Sequence, residues 1–420
     1  MTTGRNLHID RLRGVAIAVV VLLHYRMYAG PNMWPLLSDQ PILFYLIRNG
    51  FYGVTMFFVV SGFLITSMSL RRWGSLDLIK FDEFYTMRAG RILPSLILLL
   101  IVLCGLSALG FKYFEVPDHL SMTEAVWYAI TFRYHWILGP YNVDHMQSWT
   151  ILWSLSVEEL FYIIFPMAAV VFRSRRALII ALVVAIISGP SSRAQWSLYT
   201  LPGSIDALSM GCLTAIIMQK LTIQADTSKL LRWVGISVGL IAYLVAPFNE
   251  AVQYGPSFIA LGAALFLAGS SDGGNRPAIF WLPDDLLRFF GRNSYELYLF
   301  HMVVIVLFAH YPLHNFNISP PAAFFIINAT IWAVAWAIAK FYSELSNKWI
   351  RKNVPVIAAW IGKRLERLSA DPPAAVDIVK VDGLTISERF TNSDISSRRQ
   401  GKRAIGKKPD ASIQPTSVDG

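Results

Sequence analysis

Ten stretches of this chain are apolar over nearly the length of a lipid bilayer, and that one feature decides what it can fold into. They fall at about 11–29, 51–70, 90–110, 150–172, 177–190, 200–219, 230–247, 254–270, 294–311 and 321–344. A hydrocarbon layer ~30 Å thick is spanned by about 20 helical residues. Inside it every backbone N–H and C=O must be satisfied within the segment, which leaves the helix as the natural solution for runs of this length. The reading is therefore an all-α, polytopic integral membrane protein with about ten transmembrane helices. Composition agrees: 15% of the 420 residues are charged and 55% hydrophobic, against roughly 25% charged in an ordinary soluble domain. That argues against a soluble enzyme, a disordered chain and a nucleic-acid-binding protein, even with a net charge of +10. Cys104 and Cys212 lie in apolar stretches without a second Cys or His at ligand spacing, so the expectation is no metal site and no disulfide.

Loop charge sets the orientation. With the N-terminus inside, the cytoplasmic loops carry Arg71, Arg72, Lys80 and Arg88, then Arg173, Arg175 and Arg176, then Lys220 and Lys229, then Arg276, Arg288 and Arg292, and finally Lys348, Arg351 and Lys352. The outer loops hold only Arg48, Lys112, Arg133 and Arg193. This alternation follows the positive-inside rule and predicts both termini in the cytoplasm. Trp127 to Leu138, interrupted by Arg133 and His135, reads as an interfacial helix. The first span has no small-residue cleavage site after it and is expected to be retained. The expected division is a membrane domain over 1–350 and a polar cytoplasmic tail over 351–420, largely disordered from about Ser369, whose Arg398, Arg399, Lys402, Arg403, Lys407 and Lys408 are solvated or touch anionic lipid.

Ionisable residues inside spans are costly and face a cavity or a partner. Arg13 and His24 are separated by ten uncharged residues, and eleven helical steps return to the same face ~16 Å further along. On the second helix Ser61 lies at about mid-membrane beside Gly62. On the fourth, Glu158 falls ~13 Å from the outer face, level with His24, with Glu159 next to it. The ninth carries Tyr295 and, about 10 Å deep, His301. Arg88 and Arg91 share a face at the start of the third helix, with Pro94 following in about the first turn. With Arg71, Arg72 and Arg13 they form a cationic mouth suited to phosphate, since guanidinium forks bind it bidentately. Each residue also has a plain alternative: topology charge for the arginines, an interfacial ring for His24, a helix-to-helix bond for Glu158. Convergence of His24, Glu158 and Ser61 at one depth favours a site. Its chemistry suits group transfer from a phosphorylated cytoplasmic donor to a hydroxyl, with His24 as general base and Glu158 stabilising the imidazolium. Acyl-coenzyme A fits, although spacing does not name the donor.

The pattern resembles the membrane-bound acyltransferase-3 family, which O-acylates surface polysaccharides, lipopolysaccharide, peptidoglycan, nodulation factors and some macrolides. The resemblance is carried by DRLRG from Asp10 with the spacing from Arg13 to His24, by FFVVSGFLI from Phe57, by Arg88 and Arg91 with Pro94, by WSLSVEELFY from Trp153, and by SYELYLFH from Ser294. It covers about residues 7 to 350. It implies a bacterial inner-membrane enzyme with His24, Arg13 and Glu158 as catalytic residues. Arg88, Arg91, Ser61, Arg71 and Arg72 are expected at the donor, with Glu159, Tyr295 and His301 nearby. Acetyl-coenzyme A is the implied donor, with no resident cofactor, and the acceptor is a glycan or lipid-linked saccharide. Some members carry an extracytoplasmic hydrolase-like domain. This chain ends in a polar tail, so direct transfer, or hand-over to a separate extracytoplasmic transferase, is expected. The rivals are acylation of a small secreted compound such as a macrolide and, from another class, a glycan or lipid transporter using His24 and Glu158 as a proton relay. Trp127, Tyr128, Tyr134, Trp136, Tyr141 and Trp149 in the 111–148 loop stack sugars or form an interfacial belt.

Overall fold

A computed structural model of the chain describes residues 6–29, 46–116, 120–138, 148–246, 251–270, 284–310, 319–355, 378–381 and 384–387. The chain divides into two compact units, Met1–Lys348 and Trp349–Gly420. Among the described residues the first unit is helical: α1 Leu7–Ala29, α2 Tyr52–Trp73, α3 Phe81–Ala108, α4 Met122–Ile130, α5 His135–Leu138, α6 Leu152–Phe172, α7 Arg175–Trp196, α8 Leu201–Met218, α9 Ala225–Val245, α10 Gly255–Ala268, α11 Asp284–Arg292, α12 Ser294–His310 and α13 Pro320–Ile338. Seven helices, α2, α3, α6, α7, α8, α9 and α13, are long and apolar enough to cross a membrane. α1, α10 and α12 fall on the other three apolar stretches. The latter two run only 14 and 17 residues, and α1 carries Asp10, Arg11, Arg13 and Arg26. The chain is a multi-pass membrane protein.

In the second unit the expected tail contains a short antiparallel hairpin, β1 Ile378–Val381 with β2 Leu384–Ser387, in which Val379 faces Ile386. Alternating apolar residues in IVKV and LTIS account for it. Arg276, Tyr141 and the basic residues Arg398 to Lys408 lie outside the described residues.

Two of the close helix crossings bear on the site. A Cβ on Gly62 of α2 would stand 2.1 Å from the Leu208 carbonyl oxygen of α8, and one on Gly211 of α8 would stand 2.1 Å from the Val59 carbonyl oxygen. Backbone thus meets backbone there, the use of small residues expected where lipid gives no hydrophobic push between helices. Cys212 lies in this seam and its thiol donates to the Gly62 carbonyl at 3.4 Å. The second crossing joins α1 to α11. A Cβ on Gly14 would meet the Leu287 carbonyl oxygen at 2.2 Å, and one on Gly291 the Asp10 carbonyl oxygen at 1.8 Å. Arg11 closes it with a forked pair to Asp284, Nε to Oδ1 at 2.6 Å and Nη2 to Oδ2 at 3.0 Å, while its Nη1 lies 3.1 Å from Nδ1 of His8. Those donors hold the Asp284 carboxyl below its ordinary range.

Three expectations need correction. α3 begins at Phe81 rather than near residue 90, with Asp82 and Glu83 in its first turn, so Pro94 lies well inside it and Arg88 and Arg91 sit in its second and third turns. Acidic residues favour a helix N-terminus, which explains the earlier start. α7 runs on through Pro190 to Trp196. Arg193 is consequently not a loop charge. Its side chain is 1% exposed and forks onto Asp206 of α8, itself fully buried, at 2.7 and 2.9 Å. It also donates to the Gly203 and Gln253 carbonyls at 2.8 and 2.9 Å and to Ser257 Oγ. Five contacts satisfy one guanidinium and tie α7, α8 and the start of α10 together.

Candidate active site

α1, α2, α3, α6 and α12 bring the singled-out polar residues to two adjoining places. At the first, His24 Nδ1 lies 2.9 Å from the Val20 carbonyl oxygen one turn back and 3.2 Å from His301 Nε2. His301 Nδ1 in turn lies 2.7 Å from the Tyr298 carbonyl oxygen and 3.1 Å from that of Leu297. A carbonyl oxygen only accepts, so each Nδ1 carries the hydrogen in the neutral rings. The hydrogen-bond network assigns the tautomers in this way. His301 Nε2 then points a lone pair at the His24 N–H, and His24 Nε2 is left as the basic nitrogen. Tyr28 stacks near His24, centroids 6.3 Å apart and rings 8° from parallel, and Tyr298 flanks His301 at 5.8 Å. His301 is fully buried, whereas His24 keeps partial exposure.

At the second place, α6 presents Ser154, Glu158 and Tyr162, each four residues from the next and therefore on one face. The Tyr162 hydroxyl donates to Glu158 Oε1 and also pairs with Ser61 Oγ of α2. The Arg88 guanidinium lies over the Tyr162 ring, 4.5 Å from its centroid. Ser154 Oγ pairs with the Tyr298 hydroxyl at 2.6 Å, which links this stripe to the helix bearing His301. Around it lie carboxyl and guanidinium groups together. Arg88 and Arg91 act on Glu159, and Arg91 and Arg13 act on Glu296. Tyr295 anchors its hydroxyl on the Ile92 carbonyl oxygen of α3 at 2.9 Å. Glu159 Oε1 and Arg88 Nη2 are buried without a hydrogen-bond partner. A buried acceptor and a buried donor left open in one cluster are a ready place for a polar ligand.

This arrangement gathers His24 with His301, and Ser61, Arg88, Arg91, Glu158, Glu159 and Tyr295 around the α6 stripe, with Arg13 on the side of Glu296. It does not join His24 to Glu158: the acid bonds to Tyr162, and the ring that meets His24 is His301. Depth along two helices says nothing of azimuth, which packing decides. Nor do Arg71 and Arg72 join the cluster. Both are exposed, Arg71 donating to the Ser67 carbonyl oxygen of its own helix and Arg72 to Glu83 at 2.7 and 2.9 Å. Among the described residues no group of three or more His, Cys, Asp or Glu is placed to hold a metal ion.

A model of the Acyl_transf_3 family, described as an acyltransferase domain, matches residues 6–340. The chain belongs to this family. Among relatives of this acyltransferase-3 chain, O-acetyltransferase OatA of Staphylococcus aureus strain NCTC 8325 is 26% identical over 365 residues, covering 80% of the chain and 56% of the relative. The same protein of strain COL matches with the same identity and coverage. The chain thus spans little more than half the length of these curated relatives. No solved structure matches it.

Three site residues of this acyltransferase-3 chain stand in the quoted motifs without a role assigned from sequence: Ser154, Tyr162 and Tyr298. The four-residue spacing of Ser154, Glu158 and Tyr162 was the available signal for the first two. Tyr298 had none beyond its place three residues before His301, because its bond to Ser154 exists only once α6 and α12 pack.

Proposed function

We propose that the chain is a membrane O-acyltransferase of the bacterial cytoplasmic membrane. It moves an acyl group, acetyl by preference, from cytoplasmic acyl-coenzyme A to a hydroxyl of a cell-surface or lipid-linked glycan. The carrying observation is the setting of His24, a partly exposed residue whose Nδ1 is tied to the Val20 carbonyl oxygen and to His301, which assigns the free lone pair to Nε2. That nitrogen takes the proton of the acceptor hydroxyl while the hydroxyl oxygen attacks the thioester carbonyl carbon. The tetrahedral intermediate expels the coenzyme A thiolate, and the imidazolium returns its proton to that sulfur, leaving ester, free thiol and a neutral ring. No metal or resident cofactor is required by these steps.

Arg88 and Arg91 serve the donor. Because Glu158, Glu159 and Glu296 lie among the arginines, the cluster mixes carboxyl and guanidinium groups rather than forming a bare phosphate cradle. It suits a donor arm that offers both acceptors and donors, such as the amides of pantetheine. The relatives' name, O-acetyltransferase, supports acetyl as the group moved. A separate extracytoplasmic transferase is a compatible second step for the product.

Reconstitution in proteoliposomes with radiolabelled acetyl-coenzyme A and surface glycan tests the reading. Label should enter the glycan as an alkali-labile ester, and His24→Ala should lower the rate by about 10²-fold or more, the ordinary worth of a general base. Full activity in His24→Ala, or labelling of a macrolide and no glycan, overturns it. Export of unmodified glycan with no acetyl transfer by the unmutated protein would instead place the chain among transporters.

A further inference from the structure

We infer that His301 is the positioning residue of the catalytic base: the neutral lone pair of its Nε2 takes the place a carboxylate holds in the familiar histidine–acid pair. The inference rests on the proposed role of His24 and adds to it. His301 enters from α12 and presents Nε2 at 3.2 Å from His24 Nδ1. Its own Nδ1 is held by two carbonyl oxygens of its helix, at 2.7 and 3.1 Å, so the ring is fixed in the tautomer that accepts. A single carbonyl bond would leave the ring free to turn over, with Nδ1 and Nε2 exchanging roles. It would also leave much of an added positive charge unanswered. The second imidazole removes both freedoms. The His24 N–H is shared between the Val20 carbonyl oxygen and His301 Nε2, so Nε2 of His24 faces the substrate side throughout.

When His24 receives the acceptor's proton on Nε2, positive charge spreads onto Nδ1–H, and the His301 lone pair strengthens its bond to it. No proton has to leave the pair, and the Nε2 proton departs with the thiolate. The surroundings fit this assignment. Among the described residues no carboxylate hydrogen-bonds to either ring. Glu158, the candidate from sequence, has the Tyr162 hydroxyl on it, and the hydrogen bond from α6 to α12 is made by Ser154 and Tyr298. The flanking groups are aromatic, Tyr28 beside His24 and Tyr298 beside His301. An apolar setting with an uncharged acceptor spares the fold a buried carboxylate. It also keeps His24 neutral and ready to accept.

Two readings test it together. In the full-length protein in proteoliposomes, His301→Ala should lower kcat for acetyl transfer by about 10- to 100-fold with KM for acetyl-coenzyme A little changed. His301→Gln, whose amide oxygen accepts from the same N–H, should recover most of the loss. Independently of turnover, nitrogen NMR of histidine-labelled protein should place the hydrogen of His24 on Nδ1, and His301→Ala should shift that nitrogen's resonance while His301→Gln largely restores it. The spectrum makes failure of this inference distinct from failure of the proposed reaction, since it reads the pair in a protein that turns nothing over. Gln no better than Ala in a protein of normal abundance, or a His24 spectrum indifferent to His301→Ala, overturns the inference.

Discussion

Removing the Asp206 carboxylate should cost this chain much of its stability, and the loss should be recoverable by removing Arg193 as well. The Arg193 side chain is 1% exposed and Asp206 fully buried, and the two are joined by forked bonds of 2.7 and 2.9 Å. Asp206→Ala leaves the guanidinium with three oxygen acceptors, the Gly203 and Gln253 carbonyls and Ser257, but no counter-charge. Breaking one side of such a pair costs about 3–5 kcal/mol, because the remaining charge is buried and uncompensated. At ~2 °C per kcal/mol for a large chain, that is a fall in detergent melting temperature of about 6–10 °C. Replacing both partners with apolar residues of similar volume, Arg193→Met with Asp206→Leu, removes the orphan charge and should restore most of the loss. Thermal melts of the single and double variants, followed by tryptophan fluorescence or size-exclusion survival, make the measurement. A double variant as unstable as Asp206→Ala alone, or a single variant that melts like the parent, would refute the reasoning. Gly189 offers a milder probe of the same joint. It stands one turn before Arg193, and a Cβ there would lie 2.5 Å from the Asp206 Cβ. Gly189→Ala should therefore push the carboxylate off its partner and lower the melt in the same direction.

Other expectations follow from single contacts. Gly211→Leu should abolish accumulation of folded protein, because its side chain has the Val59 carbonyl oxygen where its Cβ must go; immunoblot of membranes reads this, and normal abundance would contradict the α2–α8 crossing. Tyr162→Phe should lower acetyl transfer by several-fold with abundance kept, since it removes one hydroxyl that bridges Glu158 and Ser61; unchanged turnover would reduce that link to packing. Arg88→Ala should raise KM for acetyl-coenzyme A more than it lowers kcat, by about 10-fold if one charge-assisted bond of ~1.5 kcal/mol or more is lost. The Arg11 to Asp284 fork has a pH signature. Because Asp284 titrates lower in the folded chain than in the unfolded one, the stability it contributes is present above the ordinary aspartate range and fades as pH falls through its lowered value. Hydrogen exchange at the start of α1 should be flat from pH 7 to 5 after correction for intrinsic rates, and rise only below about pH 4. A rise already at pH 6 would assign the clasp to other groups.

What the sequence disclosed and what it withheld divide along a physical line. Span positions were legible because a bilayer imposes a length and a polarity on each helix. The site helices were legible because charges inside spans are rare enough to stand out. The identities of contacting partners were not. Counting along the helices puts His24 and Glu158 at one level, yet the rotation of α1, α6 and α12 about their axes sends His24 to His301 and Glu158 to Tyr162. Arg71 and Arg72 could be counted as cytoplasmic charge but not told from donor ligands until Arg72 was seen on Glu83. Arg193 misled most. The apolar stretch ends at Pro190, which suggested a loop from there to Arg193, and the burial of the Arg193 charge depends on Asp206 from another helix.

The clasp of α1 on α11 works as a ruler. α11 runs from Asp284 to Arg292 and α12 starts at Ser294, so the stop that seats Asp10 and Gly14 also sets where α12 begins to count toward His301. Both imidazoles are thereby measured from one origin, ten residues of α1 beyond Gly14 and seven of α12 beyond Ser294. A single residue inserted into α12 before position 301 would advance its ring ~1.5 Å and swing it about 100° round the axis. Sliding α1 along α11 would drive Gly14 and Gly291 against the carbonyl oxygens they face, so the clasp resists the shear that would part His24 from His301.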